Sequence, residues 1–453
     1  MGPIAESFLR HVRDRCDRPA LWSSGEGLRL TFRELGERVE ARRARLGANL
    51  PRHSLGGEGS VAVATGNGAA FCELVLALRL RGTRVLLMDG GLPLDEQRTT
   101  ARRLGATALV LRDSAGADGV KVEDLGSSAS FEGPEGTDIV KLTSGSTGEP
   151  TGVCFGEGQL MAGMSHLAEG MELVPDDRVL MAIPLSHSYG FDNGLLSLAV
   201  LGTALVLEPK IFPGDLIRAV ARAEITVLPL VPPLVRSLGQ AQWPAGTAPR
   251  RVLCAGGVLA PQAAKAFERA SGAAVHDFYG STETGGICFE RAPTEPEARS
   301  TVGHPLPGVQ VTLDGGGQVA VQSDANRLGF LGERRLYNGP VRTGDLGRWT
   351  SEGRLQLVGR SADFLDVGGR KVAAATLEGA LRELDGVLGA AVVGIPDPAR
   401  GDRAVAFLVA DRWPIDLGPL PARLTPREVR RIDALPHTPR GKIDRELLRR
   451  LAG

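Results

Sequence analysis

The chain has little of several residue types, and each shortage excludes a class of site. Its five cysteines are scattered with no Cys-x-x-Cys pair, so neither a disulfide framework nor a cysteine zinc site is expected. The seven histidines are equally dispersed and form no zinc-type cluster. Free thiols indicate a reducing compartment, and we expect a cytoplasmic protein. Lysine is also scarce and occurs only at positions 121, 141, 210, 265, 371 and 442.

Net charge and long apolar runs are missing as well. The 53 basic residues balance the 53 acidic residues, so no overall field attracts nucleic acid or an acidic membrane surface. The most apolar stretch, 195–207, is too short and too interrupted by glycine to span a bilayer. The first residues do not read as a secretory signal. A length of 453 residues with 42% hydrophobic content predicts a globular protein of two or three structural units.

The pattern of apolar residues predicts an α/β fold. Short apolar strands alternate with helices of ten to fifteen residues, as in strand 59–65, helix 69–80 and strand 82–88, which indicates parallel βαβ units. Residues 300–357 instead alternate between glycine-rich turns, which predicts a small antiparallel sheet or barrel. The last ninety or so residues predict a separate unit with one helix at 373–383 and two strands.

A glycine-rich loop at Thr143–Gly148 is the first candidate site. A strand that breaks into glycine, serine and threonine offers backbone N–H groups and hydroxyls to an anion, so it can hold phosphates. A solvated turn is the alternative. The loop is not a Walker motif, because Val153 and Cys154 follow Gly152 where that motif needs lysine and a hydroxyl residue.

A second cluster lies at Tyr279–Gly286. Tyr279 offers a flat face to a purine, Thr282 offers a hydroxyl, and Glu283 offers an oxygen ligand suited to Mg²⁺ beside phosphates. Alone, the cluster also fits a polar turn after a strand that ends near residue 278.

Three further short motifs follow. Asp345, in Arg342–Gly347, can accept two hydrogen bonds from a ribose diol, and Arg360 can donate to the same sugar. Each motif alone also fits a turn with a capping aspartate. Lys442 follows a glycine near the chain end and alone fits a solvated side chain.

Together the motifs resemble the adenylate-forming superfamily of acyl- and aryl-CoA synthetases, peptide-synthetase adenylation domains and luciferases. The resemblance covers essentially the whole chain. Its blocks are Thr143–Gly148, Pro184–His187, Ala255–Val258, Tyr279–Glu283, Thr343–Asp345, Gly359–Arg360 with Asp363, and Pro439–Lys442.

The resemblance implies a large N-terminal domain of two αβ-layered subdomains plus a small β-barrel-like sheet. A small, mobile α+β C-terminal domain follows. The expected boundaries are 1–361 for the adenylation core and 362–453 for the mobile domain, with Asp363 as the hinge.

The resemblance also assigns roles to residues. Those implied to hold ATP or AMP are Thr143, Ser144, Gly145, Ser146, Thr147, Gly148, Gly256, Gly257, Tyr279, Gly280, Ser281, Asp345 and Arg360. The implied catalytic residues are Lys442, His187, Glu283 and Thr282, and the implied Mg²⁺ ligands are Glu283 and Thr147.

The acyl pocket is implied at His187, Ser188, Tyr189, Phe191, Asp192, Gly285 and Gly286. Asp192 is similar to the aspartate that holds an amino group in amino-acid adenylation domains. The spacing from Gly190 to Gly202 fits acyl and aryl ligases better, and an aromatic acid or a medium or long acyl chain is equally possible. A tunnel for the thiol is implied at Gly368, Gly369, Arg370 and Lys371.

The expected function is that of an AMP-forming acid–thiol ligase that uses ATP and Mg²⁺ to join a carboxylic acid to CoA. The alternative is an enzyme that loads its acid onto the phosphopantetheine of a carrier protein. A third hypothesis is a non-catalytic nucleotide-binding relative. Neither a nucleic-acid partner nor a membrane span is expected, and the chain is expected to be a monomer or a homodimer.

The chain departs from the family pattern at three places. Thr151 stands where the family usually has a lysine, so a cation is missing near the phosphates. Gly339–Val341 replaces an aromatic pair before Arg342. The chain is also short for the family, and the segment 411–431 is trimmed.

Overall fold

A computed structural model describes residues 1–54, 59–113, 119–126, 131–144, 150–293, 301–360, 364–366, 371–397, 401–420, 425–437 and 443–453. It contains two compact units. The first comprises Met1–Val311, Val321–Val341 and Thr350–Leu355, and the second comprises Thr312–Ala320, Arg342–Trp349 and Gln356–Gly453. The predicted boundary at residue 361 stays a prediction.

The helices of the described residues mostly follow strands of the two larger sheets. They are α1 (Pro3–Asp14), α2 (Phe32–Asn49), α3 (Ala69–Leu80), α4 (Leu94–Arg103), α5 (Glu157–Met171), α6 (Ser188–Gly190), α7 (Ser197–Leu201), α8 (Pro213–Ala223), α9 (Pro232–Leu238), α10 (Pro261–Ser271), α11 (Ala374–Arg382) and α12 (Arg445–Ala452), with a short 3₁₀ turn at Arg52–Ser54 and a π-helical turn at Phe191–Leu196 between α6 and α7.

The strands of the first 300 residues are β1 (Pro19–Ser23), β2 (Leu28–Thr31), β3 (Ser60–Ala64), β4 (Arg84–Leu87), β5 (Ala108–Arg112), β6 (Val120–Asp124), β7 (Ile139–Ser144), β8 (Pro150–Phe155), β9 (Arg178–Met181), β10 (Ala204–Leu207), β11 (Val227–Leu230), β12 (Arg251–Cys254), β13 (Val275–Ser281) and β14 (Gly285–Phe289). The later strands are β15 (His304–Pro305), β16 (Gln310–Leu313), β17 (Gln318–Gln322), β18 (Gly329–Phe330), β19 (Val341–Trp349), β20 (Leu355–Arg360), β21 (Phe364–Asp366), β22 (Lys371–Ala373), β23 (Val387–Asp397), β24 (Gly401–Ala410) and β25 (Glu428–Arg431).

One sheet of the first unit contains β7 and β8, the strands on either side of the glycine-rich loop. In the described residues it has seven strands in the order β18-β8-β7-β4-β3-β5-β6. Its centre, β7-β4-β3-β5, is parallel. The apolar runs of β3, β4 and β5 are almost fully buried, as expected for parallel strands covered on both faces. This arrangement confirms the predicted βαβ units.

A second sheet of the same unit has nine strands in the order β15-β14-β13-β12-β11-β9-β10-β1-β2. Neighbouring strands from β13 to β1 pair in parallel. Apolar side chains of α8, α9 and α10, including Leu216, Val235 and Phe267, pack in one cluster with Leu228 and Val252 of the sheet. The carboxyl ends of the parallel strands therefore lie along one edge.

Helix α3 begins and ends at the predicted residues, 69–80. At α2 a capping box fixes the first turn: the Thr31 hydroxyl accepts the Glu34 N–H at 3.3 Å, and the Glu34 carboxylate accepts the Thr31 N–H at 2.8 Å.

The cluster at 279–286 is not the simple polar turn that the sequence analysis offered as an alternative. Strand β13 continues through Ser281 and pairs with β14, with Tyr279 opposite Cys288. Cross-strand pairing with the apolar run of β14 therefore extends the strand past Tyr279 and leaves only residues 282–284 as the turn. The segment around Asp345 is likewise a strand, β19, rather than a turn.

The second unit has its own core around the sheet β23-β24-β25. Alternation along β23 puts Ala390 and Val392 in one apolar cluster with Leu377 and Leu381 of α11. Ala391 and Val393 belong to the opposite cluster, with Leu448 and Ala452 of α12. The strand residues of β16, β17, β19 and β20 that belong to this unit lie in a further sheet, in that order. The predicted α/β class, with a large first part and a small α+β end, is confirmed.

Among the helices of the described residues, none combines the length and apolarity needed to cross a bilayer.

A buried arginine ties three elements of the first unit together. Arg79 of α3 donates to the Asp138 carboxylate at 2.5 Å and to the Glu157 carboxylate at 2.7 Å. Glu157 also accepts the Ile4 N–H at 2.8 Å. Because Arg79 and Glu157 are both almost fully buried, solvent cannot stabilise either charge when its partner is removed.

We expect Arg79→Met to lower the free energy of unfolding by about 3–5 kcal/mol, because it leaves a buried carboxylate without its cation. The control is Arg43→Met, which removes an exposed pair with Glu40 and should change stability by less than about 0.5 kcal/mol. Calorimetric or denaturant unfolding measures both. A loss for Arg79→Met no larger than for the control would contradict the prediction.

Candidate active site

The topology of the nine-stranded sheet brings three predicted clusters to one edge. Strands β9, β11, β12 and β13 are consecutive neighbours in the sheet. His187 lies in the segment after β9, Gly256 follows β12, and Glu283 follows β13. In open α/β sheets, ligands bind in the crevice outside the carboxyl ends of the strands. These loops therefore form the candidate site.

The loop after β12 is open. Gly256 and Gly257 are exposed, and the side chain of Val258 is 91% exposed. Gly256 has a φ of +83°, which is in the region that side chains with a Cβ rarely adopt. The loop thus presents bare backbone beside an uncovered apolar side chain, which suits the approach of a flat, partly apolar ring.

The β13–β14 turn holds Thr282 and Glu283 half-exposed. Its shape is held by Ser281 and Thr284, whose hydroxyls lie 3.0 Å apart. Tyr279, which precedes the turn, is only 8% exposed. Of the predicted nucleotide residues in this hairpin, Gly280 is exposed and Ser281 is half-exposed.

Strands β7 and β8 form a hairpin, and both strands lie in the described residues. Thr143 is paired with Thr151 across it, and the Thr143 hydroxyl lies 3.5 Å from the Thr151 carbonyl oxygen. At the end of the loop, the Arg103 guanidinium donates to the Pro150 carbonyl at 2.7 Å. Arg103 is therefore a cation next to the position where Thr151 replaces the expected lysine.

A buried ion pair joins this hairpin to the predicted acyl pocket. The ammonium of Lys141 in β7 lies 2.6 Å from an oxygen of the Asp192 carboxylate. Ser188 completes the cluster, at 3.3 Å from Lys141 and 3.2 Å from the other oxygen of Asp192. The ammonium also lies 4.8 Å and 5.3 Å from the ring centroids of Phe155 and Phe191. Lys141 was not among the predicted site residues, and its only sequence signal is a scarce lysine in an apolar strand.

The segment from His187 to Asp192 is held by close packing. A Cβ at Gly190 would lie 2.2 Å from the Pro184 carbonyl oxygen, so only glycine fits there. His187 is half-buried, and its carbonyl accepts the Phe191 N–H at 2.8 Å. The Tyr189 hydroxyl lies 3.3 Å from the Leu253 carbonyl, and burial raises the pKa of Tyr189 well above its usual value. Tyr189 therefore contributes a neutral side chain to the predicted acyl pocket.

The thiols of the described strands near the site are also neutral. Burial raises the pKa of Cys154 to about 12 and also raises the pKa of Cys254 and Cys288. A thiolate is the nucleophilic form of cysteine. None of these three thiols is thus suited to carry a covalent intermediate.

Glu283 fits a magnesium site that depends on substrate. The described residues contain no group of three or more histidine, cysteine, aspartate or glutamate side chains placed to hold a metal. Mg²⁺ is commonly held by one or two carboxylates together with substrate phosphates and water. A lone half-exposed carboxylate is consistent with that arrangement.

The remaining predicted residues lie in the second unit, in β7 of the first unit, or outside the described residues. Asp345 is buried in β19, and its N–H donates to the Thr343 hydroxyl at 3.1 Å. Ser144, Arg360 and Lys371 lie in β7, β20 and β22, where only their backbone is described. Outside the described residues are Gly145, Ser146, Thr147, Gly148, Asp363, Gly368, Gly369, Arg370 and Lys442. The roles assigned to all of these residues stay predictions.

Comparison with known proteins settles the family. A family model described as AMP-binding enzyme matches residues 8–324, and one described as AMP-binding enzyme C-terminal domain matches residues 376–442. The chain belongs to the AMP-binding enzyme family. The predicted membership of the adenylate-forming superfamily is thereby confirmed.

Several proteins are similar to this AMP-binding enzyme. A sulfoacetate–CoA ligase of Cupriavidus necator is 30% identical over 69% of the chain, and the match spans 66% of that ligase, slightly less than two thirds of its length. A feruloyl-CoA synthase of Amycolatopsis is 29% identical over 94% of the chain and 91% of that enzyme. The solved structure of o-succinylbenzoate CoA synthetase of Bacillus subtilis with its acyl-adenylate intermediate has a TM-score of 0.83 at 23% identity, covering 98% and 97% of the two chains. This last likeness shows the shared fold.

We expect single substitutions of the buried pair, Lys141→Met or Asp192→Leu, each to cost about 3–5 kcal/mol, because each leaves one buried charge unpaired. The double variant should recover most of that loss, because an apolar pair has no charge to desolvate. Denaturant unfolding measures the three free energies. Lys121→Met is the control, since Lys121 pairs with Glu123 at 3.0 Å but is 58% exposed, and it should cost less than about 1 kcal/mol. Additive losses in the double variant would argue against a coupled pair.

Proposed function

We propose that this chain is an AMP-forming carboxylic acid–CoA ligase. The observation that carries the proposal is the grouping of His187, Gly256 and Glu283 at the carboxyl ends of neighbouring parallel strands. An acid and a nucleotide must meet within bonding distance for adenylation, and one continuous edge offers both a place. The names of similar proteins, which include CoA ligases for several different acids, support the same reaction class.

In the first half-reaction, a carboxylate oxygen of the acid attacks the α-phosphorus of ATP. The bond from that phosphorus to the bridging oxygen breaks, and pyrophosphate leaves with the electron pair. Two anions approach each other, so the step needs donors and cations at the phosphates. Bound Mg²⁺ would supply part of this neutralisation. The Thr282 hydroxyl would donate to the α-phosphate, Glu283 would hold the ion, and Lys442 would bridge the carboxylate and the α-phosphate.

In the second half-reaction, the sulfur of CoA attacks the acyl carbonyl of the adenylate. A thioester forms, AMP leaves, and the thiol proton is released. We propose that the C-terminal part swings about Asp363, which withdraws Lys442 and brings the segment 368–371 to the thiol. Hinge positions of this kind commonly lie in loops that absorb a large change in backbone angles.

The acid is proposed to lack an α-amino group. A free carboxylate at Asp192 would be the natural partner of a substrate ammonium. Asp192 is instead paired with Lys141 at 2.6 Å and with Ser188 at 3.2 Å, so its charge is already balanced. This pairing favours an acyl or aryl acid over an amino acid. Ser188–Phe191 and the open space beside Gly285 suit an aromatic ring or an acyl chain. The room expected at Gly286 is not there, because a Cβ at Gly286 would lie 2.8 Å from the side chains of Leu167 and Leu306.

Carboxylate-dependent exchange of labelled pyrophosphate into ATP tests the adenylation step directly. We expect exchange with at least one member of a panel of aryl, acyl and amino acids, and none of the amino acids should support it. Absence of exchange with every acid would reject the enzyme and favour a non-catalytic nucleotide-binding protein. Product analysis with CoA and with a holo carrier protein then identifies the acceptor. A thioester formed only on the carrier protein would replace CoA ligation with the alternative function.

Replacing the implied catalytic lysine separates the two half-reactions. We expect Lys442→Ala to lower the adenylation rate by at least about 100-fold, because one charged donor to the transition state is lost. Thioester formation from supplied acyl-AMP should remain close to wild type, since Lys442 has then left the site. Single-turnover assays of each half-reaction measure the two rates. The control is Lys210→Ala at an exposed lysine. Equal losses in both half-reactions would contradict the proposed swing.

A further inference from the structure

Arg327 lies between the two elements that are predicted to meet the phosphates of ATP. Its backbone N–H donates to the Glu283 carbonyl at 2.8 Å. The next residue, Leu328, donates to the Cys154 carbonyl at 2.8 Å, and β18 then pairs with β8, the strand that leaves the phosphate loop. Arg327 therefore joins the Glu283 turn to the phosphate hairpin, within the first unit.

The side chain of Arg327 is buried, and no described residue gives it an anionic partner. The residue is 9% exposed, and its Nε and Nη1 atoms are buried with no hydrogen-bond acceptor among the described residues. Its guanidinium carbon lies 4.2 Å from the ring centroid of Phe330 and 4.5 Å from that of Tyr337. The two rings hold the cation in place by cation–π attraction, but they offer no acceptor in the plane of the guanidinium.

A comparison with Arg79 shows why this is unusual. Arg79 is buried to a similar degree, and its guanidinium is neutralised by two carboxylates. Buried charged donors without acceptors are costly, so they mark positions where an ion or a ligand completes the environment. An anion would neutralise Arg327, and a guanidinium fits the paired oxygens of a phosphate especially well.

We infer that Arg327 is an anion-binding residue of the nucleotide site and contacts the β- and γ-phosphates of ATP. The inference rests on the proposed function. The position between Glu283 and β8 selects the polyphosphate rather than the acid, which would lie near His187 and Asp192. Thr151, in β8 itself, carries no charge, so Arg327 supplies a cation to the phosphate hairpin from an adjoining segment.

Calorimetric binding of MgATP and of AMP, without acid, tests this assignment. We expect Arg327→Gln to weaken MgATP binding by about 10-fold to 100-fold, the range for loss of a hydrogen bond to a charged group. AMP binding should change by less than about threefold, because AMP lacks the β- and γ-phosphates. The matched control is Arg334→Gln, which removes an 82% exposed cation from the same segment and should leave both affinities within about twofold.

The possible failures are distinguishable. If wild-type protein binds MgATP and Arg327→Gln binds it equally well, the inference is overturned while the proposed function stands. Equal weakening of MgATP and AMP would assign Arg327 a purely structural role and also overturn the inference. If wild-type protein binds no MgATP, the proposed function fails and the inference fails with it.

A charge-preserving variant covers the case in which Arg327→Gln does not fold. Arg327→Lys keeps the charge between Phe330 and Tyr337 but loses the planar pair of donors. We expect it to weaken MgATP binding several-fold with AMP binding unchanged. Unchanged MgATP binding in Arg327→Lys, with a folded protein, would overturn a bidentate phosphate contact at this position.

Discussion

A buried ammonium–carboxylate pair sets the relation between the two large sheets of the first unit. Lys141 belongs to the strand that leads into the phosphate loop, and Asp192 belongs to the helical segment that follows His187. Neither charge can be left unpaired in the interior, so the hairpin β7–β8 and the predicted acyl pocket keep one arrangement. The position of the β7–β8 hairpin relative to the segment 187–192 is thereby limited within the first unit.

The rest of the candidate site follows from the direction of the strands. Because β9, β11, β12 and β13 are parallel and buried on both faces, their interiors have to be apolar, and polar groups collect at the carboxyl ends. Glycine at 190 allows the backbone to pack closely against the Pro184 carbonyl, and glycine at 256 allows a positive φ. Residues that are far apart in sequence, such as His187 and Glu283, thus lie at one edge because of the strand order and not because of a direct contact between them.

Much of this was predictable from sequence, and the reasons for the remainder are physical. A helix can be predicted from a pattern within a short window, so α3 was found from its apolar run at 69–80. The extension of β13 past Tyr279 depends on pairing with β14. The role of Lys141 depends on a partner 51 residues away, and the role of Arg327 depends on the lack of a partner among the described residues. A pattern within a short window carries none of this information.

The distribution of charge bears on how a hairpin with Thr151 fits the proposed site for ATP. The carboxylate of Asp192 is neutralised by Lys141 and therefore does not repel an approaching phosphate or acid. The Arg103 guanidinium donates to the Pro150 carbonyl, and the backbone N–H of Arg327 donates to the Glu283 carbonyl. The buried guanidinium of Arg327 lies against Phe330 and Tyr337. A positive charge need not come from the loop itself, because electrostatic stabilisation depends on the distance to the phosphate and on desolvation, not on the sequence position of the donor. In the proposed site, Arg327 between Phe330 and Tyr337 would therefore supply the cation that Thr151 does not.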